Sequence, residues 1–284
     1  MTLYNQLKNS VGKMLNPLRF SEECKKTNKE QLDNIVKYRT PHYHKNMPII
    51  LLWSEKSGCT SLVKWFFYQI GELDQAIKYH PWIHKYEFDV YKKKKEYRED
   101  VFNQLLNKEK DVIKLVRNPY KRVISSFFTL LQDKDRYKKE WEDIRELVYK
   151  NRHSEEGISF KDFLYYLKNT GTNVEVLNGH LAQQYIEGEE LIVDKYIYLE
   201  NFDEHIQEIE EYYGLEASPL SLITKSKHHR TSLMNLTGNF ADTKFKKLEK
   251  QLPTYKSFYD KEAVGLVEDI FKKDIECYNY KIPF

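Results

Sequence analysis

The amino-acid sequence predicts an α/β fold in which helices flank a central, mostly parallel sheet. Three short apolar runs, at 48–53, 111–116 and 196–199, have the length and continuity of strands that are buried on both faces. A helical pattern follows each run, and strands that alternate with helices are typical of a parallel sheet. Ligands of such sheets bind at the carboxyl ends of the strands, so the loops after the first two runs are the candidate functional loops.

Each strand is predicted to be followed directly by its helix. The predicted pairs are 48–53 with 61–70, 111–116 with 119–131, and 196–199 with 202–213. Pro119 suits the first turn of the second helix, because its missing N–H would have no partner there. Gly214 follows the third helix, where a C-terminal glycine is expected.

Composition and charge exclude several classes of protein. The 284 residues carry 46 Lys and Arg against 43 Asp and Glu, and 46 − 43 = +3 is too small a charge to indicate nucleic-acid binding. The widely spaced Cys24, Cys59 and Cys277 form neither a disulfide framework nor a CxxC metal site, which favours a reducing compartment. No apolar run approaches the roughly 18 residues of a transmembrane segment, so a cytoplasmic protein is predicted.

The chain changes character near residue 48. Residues 1–47 are predicted as an N-terminal extension of helical and irregular segments, and residues 48–284 as one domain. Leu3, Leu7, Val11 and Leu15 share a helical face in the extension. This face predicts a peripheral packing helix, with peripheral membrane association as the less favoured alternative.

The first candidate loop has the features of a phosphate cradle. It contains Lys56, Ser57, Gly58, Cys59, Thr60 and Ser61. Gly58 allows close backbone approach, the following helix N-terminus favours an anion, and Lys56 adds a positive charge. The loop is not a Walker A motif, because Lys56 precedes the glycine and no acidic partner for Mg²⁺ is evident.

The second candidate loop predicts another anion site. Arg117 closes the second strand, and Ser125 lies eight residues later, about two helical turns along the same helix face. A guanidinium and a hydroxyl so placed can grip one terminal phosphate. Two anion sites at strand ends of one sheet suggest a ligand that is phosphorylated at both ends.

These motifs resemble those of the sulfotransferases that use 3′-phosphoadenosine 5′-phosphosulfate (PAPS), most of all the Golgi-type and bacterial carbohydrate sulfotransferases. Residues 56–61 resemble the 5′-phosphosulfate loop, and 117–127 resemble the 3′-phosphate motif R-[DN]-P-[FY]-x-R-x-x-S-x-[FY]. Supporting likenesses lie at 159–163, at 178–183 (H-x-x-P-Q, with Ala182 for the proline), at 196–203 (Y-x-x-x-E-[ND]-[FL]) and at 270–280. Ser61 departs from the pattern, since many cytosolic members have a tryptophan there.

The resemblance implies a P-loop-like, three-layer version of the predicted fold. It also implies transfer of a sulfuryl group from PAPS to an acceptor hydroxyl, on a carbohydrate such as a polysaccharide or glycolipid. The product would be 3′,5′-ADP, no metal would be required, and Lys56 would neutralise charge on the leaving nucleotide.

A general base is needed to accept the proton of the acceptor hydroxyl. The resemblance favours His80 first and His84 second, with Glu87 as a rival. His180 and Gln183 are predicted to line the acceptor cleft, although a structural role for the histidine is an equal alternative.

Two basic segments have open assignments. Arg230, with Lys227, is expected either to cap the nucleotide or to lie in a solvated basic loop. The lysines of 92–95 are expected to form a solvated face, or to steer an anionic polysaccharide.

Two other functions compete with the sulfotransferase. A metal-dependent P-loop kinase shares the topology and the anion-binding turn, but it needs a later lysine and a Mg²⁺ carboxylate. A non-catalytic glycan-binding module would explain the basic loops and the aromatic residues. The family resemblance predicts a carbohydrate acceptor as partner, and the small net charge predicts no nucleic acid.

Overall fold

A small parallel sheet lies at the centre of the computed structural model, which describes residues 29–224 and 233–284. The strands are β1 (Ile49–Leu52), β2 (Asp111–Val116) and β3 (Lys195–Tyr198), in the spatial order β1-β2-β3. Both pairs are parallel, and Ile49 lies opposite Asp111 as Ile113 lies opposite Lys195. Helices flank this sheet, so the predicted mixed α/β class is confirmed.

The helices follow the strands as the sequence predicts. In chain order the described helices are α1 (Lys29–Tyr38), α2 (Cys59–Gln69), α3 (Leu73–Tyr79), α4 (Ile83–Tyr86), α5 (Tyr97–Asn107), α6 (Pro119–Gln132), α7 (Lys138–Tyr149), α8 (Phe160–Thr170), α9 (Phe202–Tyr213), α10 (Leu220–Ile223), α11 (Lys261–Ile270) and α12 (Lys272–Cys277). A π-helical turn (Glu87–Tyr91) continues α4, and 3₁₀ turns lie at Glu189–Leu191, Leu199–Asn201 and Lys256–Phe258. A second, two-stranded parallel sheet pairs β4 (Met234–Leu236) with β5 (Leu252–Pro253).

Helix boundaries have clear causes in the sequence. The Asn118 side chain accepts a hydrogen bond from Tyr120 N at 3.0 Å, and Pro119 occupies the first position of α6. α9 ends at Gly214, whose φ of 63° is the left-handed conformation that glycine adopts most easily. The carboxyl end of β2 thus leads into α6 through Arg117 and Asn118, whereas a 3₁₀ turn separates β3 from α9.

β2 carries one charge within an otherwise apolar strand. Lys114 is buried, and its Nζ donates to Gln184 O at 2.8 Å and to Tyr278 Oη at 2.9 Å while pairing with Glu189. A buried ammonium is tolerated only when its charge and its donors are satisfied. This pairing ties β2 to α12 and to the segment before β3.

Residues 29–47 pack against the sheet. α1 buries Leu32, Ile35 and Val36 in the same apolar core as β1, and His42 forms an antiparallel bridge with Leu51. The helical face of residues 3–15 lies outside the described residues. Within 29–224 and 233–284, no helix has the length and apolar character needed to cross a membrane.

Candidate active site

A cleft of about 1250 Å³ opens where the carboxyl ends of the three central strands meet. Of the residues predicted as site residues, those that line it are Lys56, Gly58, Cys59, Thr60, Ser61, His84, Arg117, Ser125 and His180. Ser57, His80 and Gln183 do not line it, and Arg230 and Lys227 lie outside the described residues. The cleft therefore brings most of the two candidate loops together.

The two candidate anion-binding loops touch each other. Arg117 Nη1 donates to the backbone oxygen of Lys56 at 2.9 Å, and Arg117 Nη2 donates to Tyr255 Oη at 2.9 Å. β1 and β2 are neighbouring strands, so their following loops meet at one sheet edge. The guanidinium of Arg117 is thus held against the loop that carries Lys56.

The backbone of the first loop suits close approach by an anion. Lys56 and Gly58 both have positive φ, 66° and 91°, and a Cβ at position 58 would lie 2.5 Å from Leu199 Cδ1. The positive φ favours glycine at position 58, and a larger residue would also have to displace the tip of the Leu199 side chain. Gly58 provides no side-chain cap for α2, so the first N–H groups of this helix remain suited to an anion.

One amide side chain, which sequence reasoning missed, links the two loops. Gln184 is fully buried, and its Oε1 accepts hydrogen bonds from Arg117 N at 2.8 Å and Ser57 Oγ at 2.5 Å. Its Nε2 donates to Arg117 O at 2.8 Å. Ser57, predicted to bind the cofactor, thus has its hydroxyl turned to Gln184.

The H-x-x-P-Q pattern contained the signal for this residue. Counted from His180, the pattern places its proline at position 183 and its glutamine at position 184, so Gln184, and not Gln183, is the glutamine of the pattern. Gln183 Oε1 accepts from Thr172 Oγ1, and its Nε2 donates to Tyr185 O, both at 3.2 Å. The Gln183 side chain thus connects Thr172 to the backbone of Tyr185 and does not line the cleft.

We expect Gln184→Ala to lower the free energy of unfolding by about 1–3 kcal/mol, because the substitution leaves buried polar groups without partners. Urea denaturation should show a lower midpoint at an unchanged slope. Gln183→Ala is the matched control, since this neighbour is only half-buried. An equal loss of stability in the two variants would contradict the bridging role of Gln184.

Two buried arginines support the first loop from behind. Arg122 Nε donates to Glu55 O at 2.9 Å, and Arg39 Nε pairs with Glu55 Oε2 at the same distance. Arg39 Nη1 also donates to Gln184 O at 2.8 Å. Arg122 lies in the predicted 3′-phosphate motif, whereas Arg39 lies in the stretch read as an extension. Arg122 therefore fixes the backbone at Glu55, and Arg39 connects the Glu55 side chain to the segment that carries Gln184.

Two of the segments that support the family resemblance, 196–203 and 270–280, are linked to the second loop by hydrogen bonds. Glu200 Oε1 accepts from Asn118 N at 3.0 Å, and Glu200 Oε2 accepts from Tyr280 Oη at 2.9 Å. One carboxylate after β3 thus connects the start of α6 to the chain beyond α12.

His84 lies beside the first loop, with a carboxylate behind it. Its Nδ1 is 2.5 Å from Glu87 Oε2, and its Nε2 is 3.2 Å from Thr60 Oγ1 and 3.7 Å from Cys59 Sγ. Both His84 and Glu87 are buried, although His84 still borders the cleft. A carboxylate on one ring nitrogen fixes the ring orientation and leaves Nε2 for chemistry.

The charges around Glu87 form one buried cluster. Burial opposes the charged form of His84, but Cys59 and Glu87 outweigh it and raise the pKa of His84 above its ordinary value. Burial also opposes the charge of Glu87, but Lys92, His42 and His84 together lower the pKa of its carboxyl. Lys92 Nζ donates to Glu87 Oε1 at 2.6 Å. Lys92 is thus buried rather than part of a solvated face.

His80, the favoured base, is placed differently. It follows α3 and is half-buried, and its Nδ1 accepts a hydrogen bond from Trp82 N at 3.0 Å. It is not among the residues that line the cleft. His84, four residues later, is the histidine that the structure brings next to Thr60.

His180 borders the cleft on the side of the first loop. Its Nδ1 lies 3.1 Å from Asn178 Oδ1, and burial together with the nearby Lys56 lowers its pKa to about 4, against the pull of Glu55. The imidazole is therefore neutral near pH 7.

Across the described ranges there is no cluster of three or more His, Cys, Asp or Glu side chains that could hold a metal ion.

Comparison with known proteins agrees with this arrangement at the level of the family. The search of curated proteins and the search of solved structures each found no match. A family model described as "Sulfotransferase family" matches residues 43–281, which include both candidate loops, Gln184 and Glu200. Because this match covers most of the 284 residues, the chain belongs to the sulfotransferase family.

Proposed function

We propose that the protein transfers a sulfuryl group from PAPS to a hydroxyl group of a carbohydrate and releases 3′,5′-ADP. The observation that carries the proposal is the 2.9 Å hydrogen bond from Arg117 to the backbone of Lys56, which joins the two anion-binding loops. The proposal includes a P-loop-like, three-layer arrangement of the fold and a cytoplasmic location.

The donor set of the cleft fits a nucleotide that is anionic at both ends. Lys56, Thr60 and the N-terminus of α2 offer a positive charge, a hydroxyl and backbone N–H groups at one loop. Arg117 and Ser125 offer a guanidinium and a hydroxyl at the other. The volume of about 1250 Å³ exceeds the roughly 300–1,000 Å³ of a site for one drug-sized ligand, so it has room for a donor and an acceptor.

In the proposed reaction one residue acts on the leaving nucleotide and another acts on the acceptor hydroxyl. PAPS, when bound, supplies an activated sulfuryl group. Lys56 stabilises the negative charge that develops on the leaving nucleotide, as fixed cations do in phosphoryl transfer. His84, in its neutral form, accepts the proton of the acceptor hydroxyl at Nε2. Glu87 then stabilises the imidazolium through Nδ1.

We expect turnover to rise with pH through the pKa of His84, since the raised pKa keeps the imidazole protonated near neutrality. The acid limb of the pH–kcat profile should therefore lie above pH 6.5. Glu87→Gln removes a carboxylate that favours the imidazolium, so the acid limb should move to lower pH.

The exposed Glu99 on α5 provides the matched control. Glu99→Gln should leave the acid limb in place. The role of His84 is contradicted if Glu87→Gln also leaves it in place, or if it moves the limb to higher pH.

The function is tested by incubating the protein with sulfur-labelled PAPS and a panel of glycans. We expect label in a glycan and one equivalent of 3′,5′-ADP for each sulfuryl group transferred. Consumption of Mg-ATP with no release of 3′,5′-ADP from PAPS would instead support the kinase alternative.

A further inference from the structure

Two large aromatic side chains are exposed at the wall of the cleft, beside the proposed base. Trp82 is 47% exposed and Phe88 is 46% exposed, and both line the cleft. Large apolar side chains with this much exposure are costly to keep in water when they are clustered, and clusters of them mark binding surfaces. We call Trp82 and Phe88 the aromatic shelf.

The shelf is built around His84. The ring centroids of Trp82 and His84 are 5.7 Å apart, those of Phe88 and His84 are 6.0 Å apart, and those of Trp82 and Phe88 are 6.5 Å apart. The ring planes of Phe88 and His84 differ by only 21°. A molecule that rests on the shelf would therefore lie against the imidazole that is proposed to accept its proton.

The local backbone structure orients the side chains of Trp82 and Phe88 toward the cleft. Trp82 lies immediately before α4, and its backbone N–H donates to His80 Nδ1 at 3.0 Å. Phe88 lies in the π-helical turn, and such turns frequently occur at functional sites. His80 therefore has a positioning role, because its ring accepts the hydrogen bond that holds the backbone of Trp82.

We propose that the aromatic shelf is the acceptor-binding subsite, and that it takes the C–H face of a neutral sugar ring. This inference rests on the proposed sulfotransferase function and adds the chemistry of the acceptor. One face of a pyranose carries C–H groups that suit the negative face of an aromatic ring, while its rim carries hydroxyl groups.

The two rings of the shelf form an open angle. Their planes are inclined by 56°, so the shelf is not a parallel slot.

The charge of the cleft favours a neutral acceptor. Among the described residues, the charged side chains that line the cleft are five carboxylates and three cations, and two of the cations, Lys56 and Arg117, are assigned to the nucleotide: Glu55, Asp133, Glu200, Asp203 and Glu204 against Lys56, Arg117 and Arg136. Both oxygens of Glu200 already accept hydrogen bonds, so Asp203 and Glu204 are the carboxylates after β3 that an acceptor would meet. Carboxylates on a wall repel a polyanionic chain, while they accept hydrogen bonds from sugar hydroxyls. The proposal therefore departs from the expectation that lysines near residue 92 steer an anionic polysaccharide.

The test uses the full chain, sulfur-labelled PAPS and an array of immobilised neutral and anionic glycans together with simple phenols. We expect label on neutral glycans, and a KM for the accepted glycan that rises about tenfold in Trp82→Ala. The KM for PAPS should stay within about twofold, because neither shelf side chain is among the donors assigned to the nucleotide. Phe88→Ala should raise the acceptor KM similarly, and Trp82→Phe should restore most of the affinity.

Ile77 supplies the matched control, since it is 51% exposed on α3 and does not line the cleft. Ile77→Ala should leave the acceptor KM unchanged. The proposal is overturned if label appears only on anionic glycans or phenols, if no acceptor is labelled, or if neither shelf variant changes the acceptor KM.

Calorimetry with 3′,5′-ADP on the same preparation distinguishes failure of the shelf proposal from failure of the sulfotransferase proposal. If 3′,5′-ADP binds while the shelf variants behave like the wild type, the shelf proposal fails and the nucleotide site stands. If 3′,5′-ADP does not bind, the sulfotransferase proposal itself fails.

Discussion

Replacing Lys56 by alanine should lower kcat about 10²- to 10³-fold, the cost typical of losing one charge-stabilising donor from an active site. The affinity for 3′,5′-ADP should fall far less, because Arg117, Thr60 and the N-terminus of α2 remain. The loss falls on kcat because the charge that Lys56 faces develops during the transfer itself. Steady-state kinetics with labelled PAPS, combined with calorimetry of 3′,5′-ADP, measures both quantities.

A surface lysine supplies the control for this substitution. Lys93 is exposed, and Lys93→Ala should leave both kcat and nucleotide affinity unchanged. The proposed role of Lys56 is contradicted if kcat of Lys56→Ala stays within a few fold of the wild type. It is equally contradicted if the whole effect is a loss of nucleotide affinity.

Replacing His84 by alanine should lower kcat about 10²- to 10⁴-fold, the range expected for removal of a general base. Its Nε2 lies 3.2 Å from Thr60 Oγ1, so it is beside the loop proposed to hold the phosphosulfate. The remaining activity should lose the acid limb that His84 causes. The pH–kcat profile of the variant therefore distinguishes loss of a base from general damage to the fold.

Two other histidines make the His84 experiment sharper. His153 is exposed, and His153→Ala should retain wild-type turnover and an unchanged pH profile. If His80→Ala abolished turnover while His84→Ala retained it, the order favoured by the family resemblance would hold and the order proposed from the structure would be wrong.

The strands and their helices were predictable because their causes are local. A strand buried on both faces needs a continuous apolar run, and β1, β2 and β3 lie within one residue of the predicted runs. Pro119 and Gly214 mark helix ends through backbone preferences that hold in any context. The adjacency of the two candidate anion-binding loops then follows from parallel pairing of neighbouring strands.

The long-range contacts of the site were not predictable in the same way. Arg39 meets Gln184 across 145 positions of sequence, and no local pattern indicates such a contact. Lys92 stands first in a run of four lysines, yet Glu87 draws it into a buried cluster. The structure places His84, and not His80, at the cleft, and a local signal for this placement is the i,i+3 spacing of His84 and Glu87, which brings the two side chains to one face of a helix.

The sulfotransferase proposal requires that two neighbouring loops hold the two ends of one doubly anionic nucleotide. Calorimetry of the wild type and of Arg117→Ala, with 3′,5′-ADP in the absence of metal and with ATP plus Mg²⁺, measures whether they do. We predict that 3′,5′-ADP binds without metal and that Arg117→Ala weakens this binding about tenfold or more, since a hydrogen bond to a charged group is worth about 1.5–3 kcal/mol. Binding of Mg-ATP alone, or an unchanged affinity for 3′,5′-ADP in Arg117→Ala, would contradict the proposal.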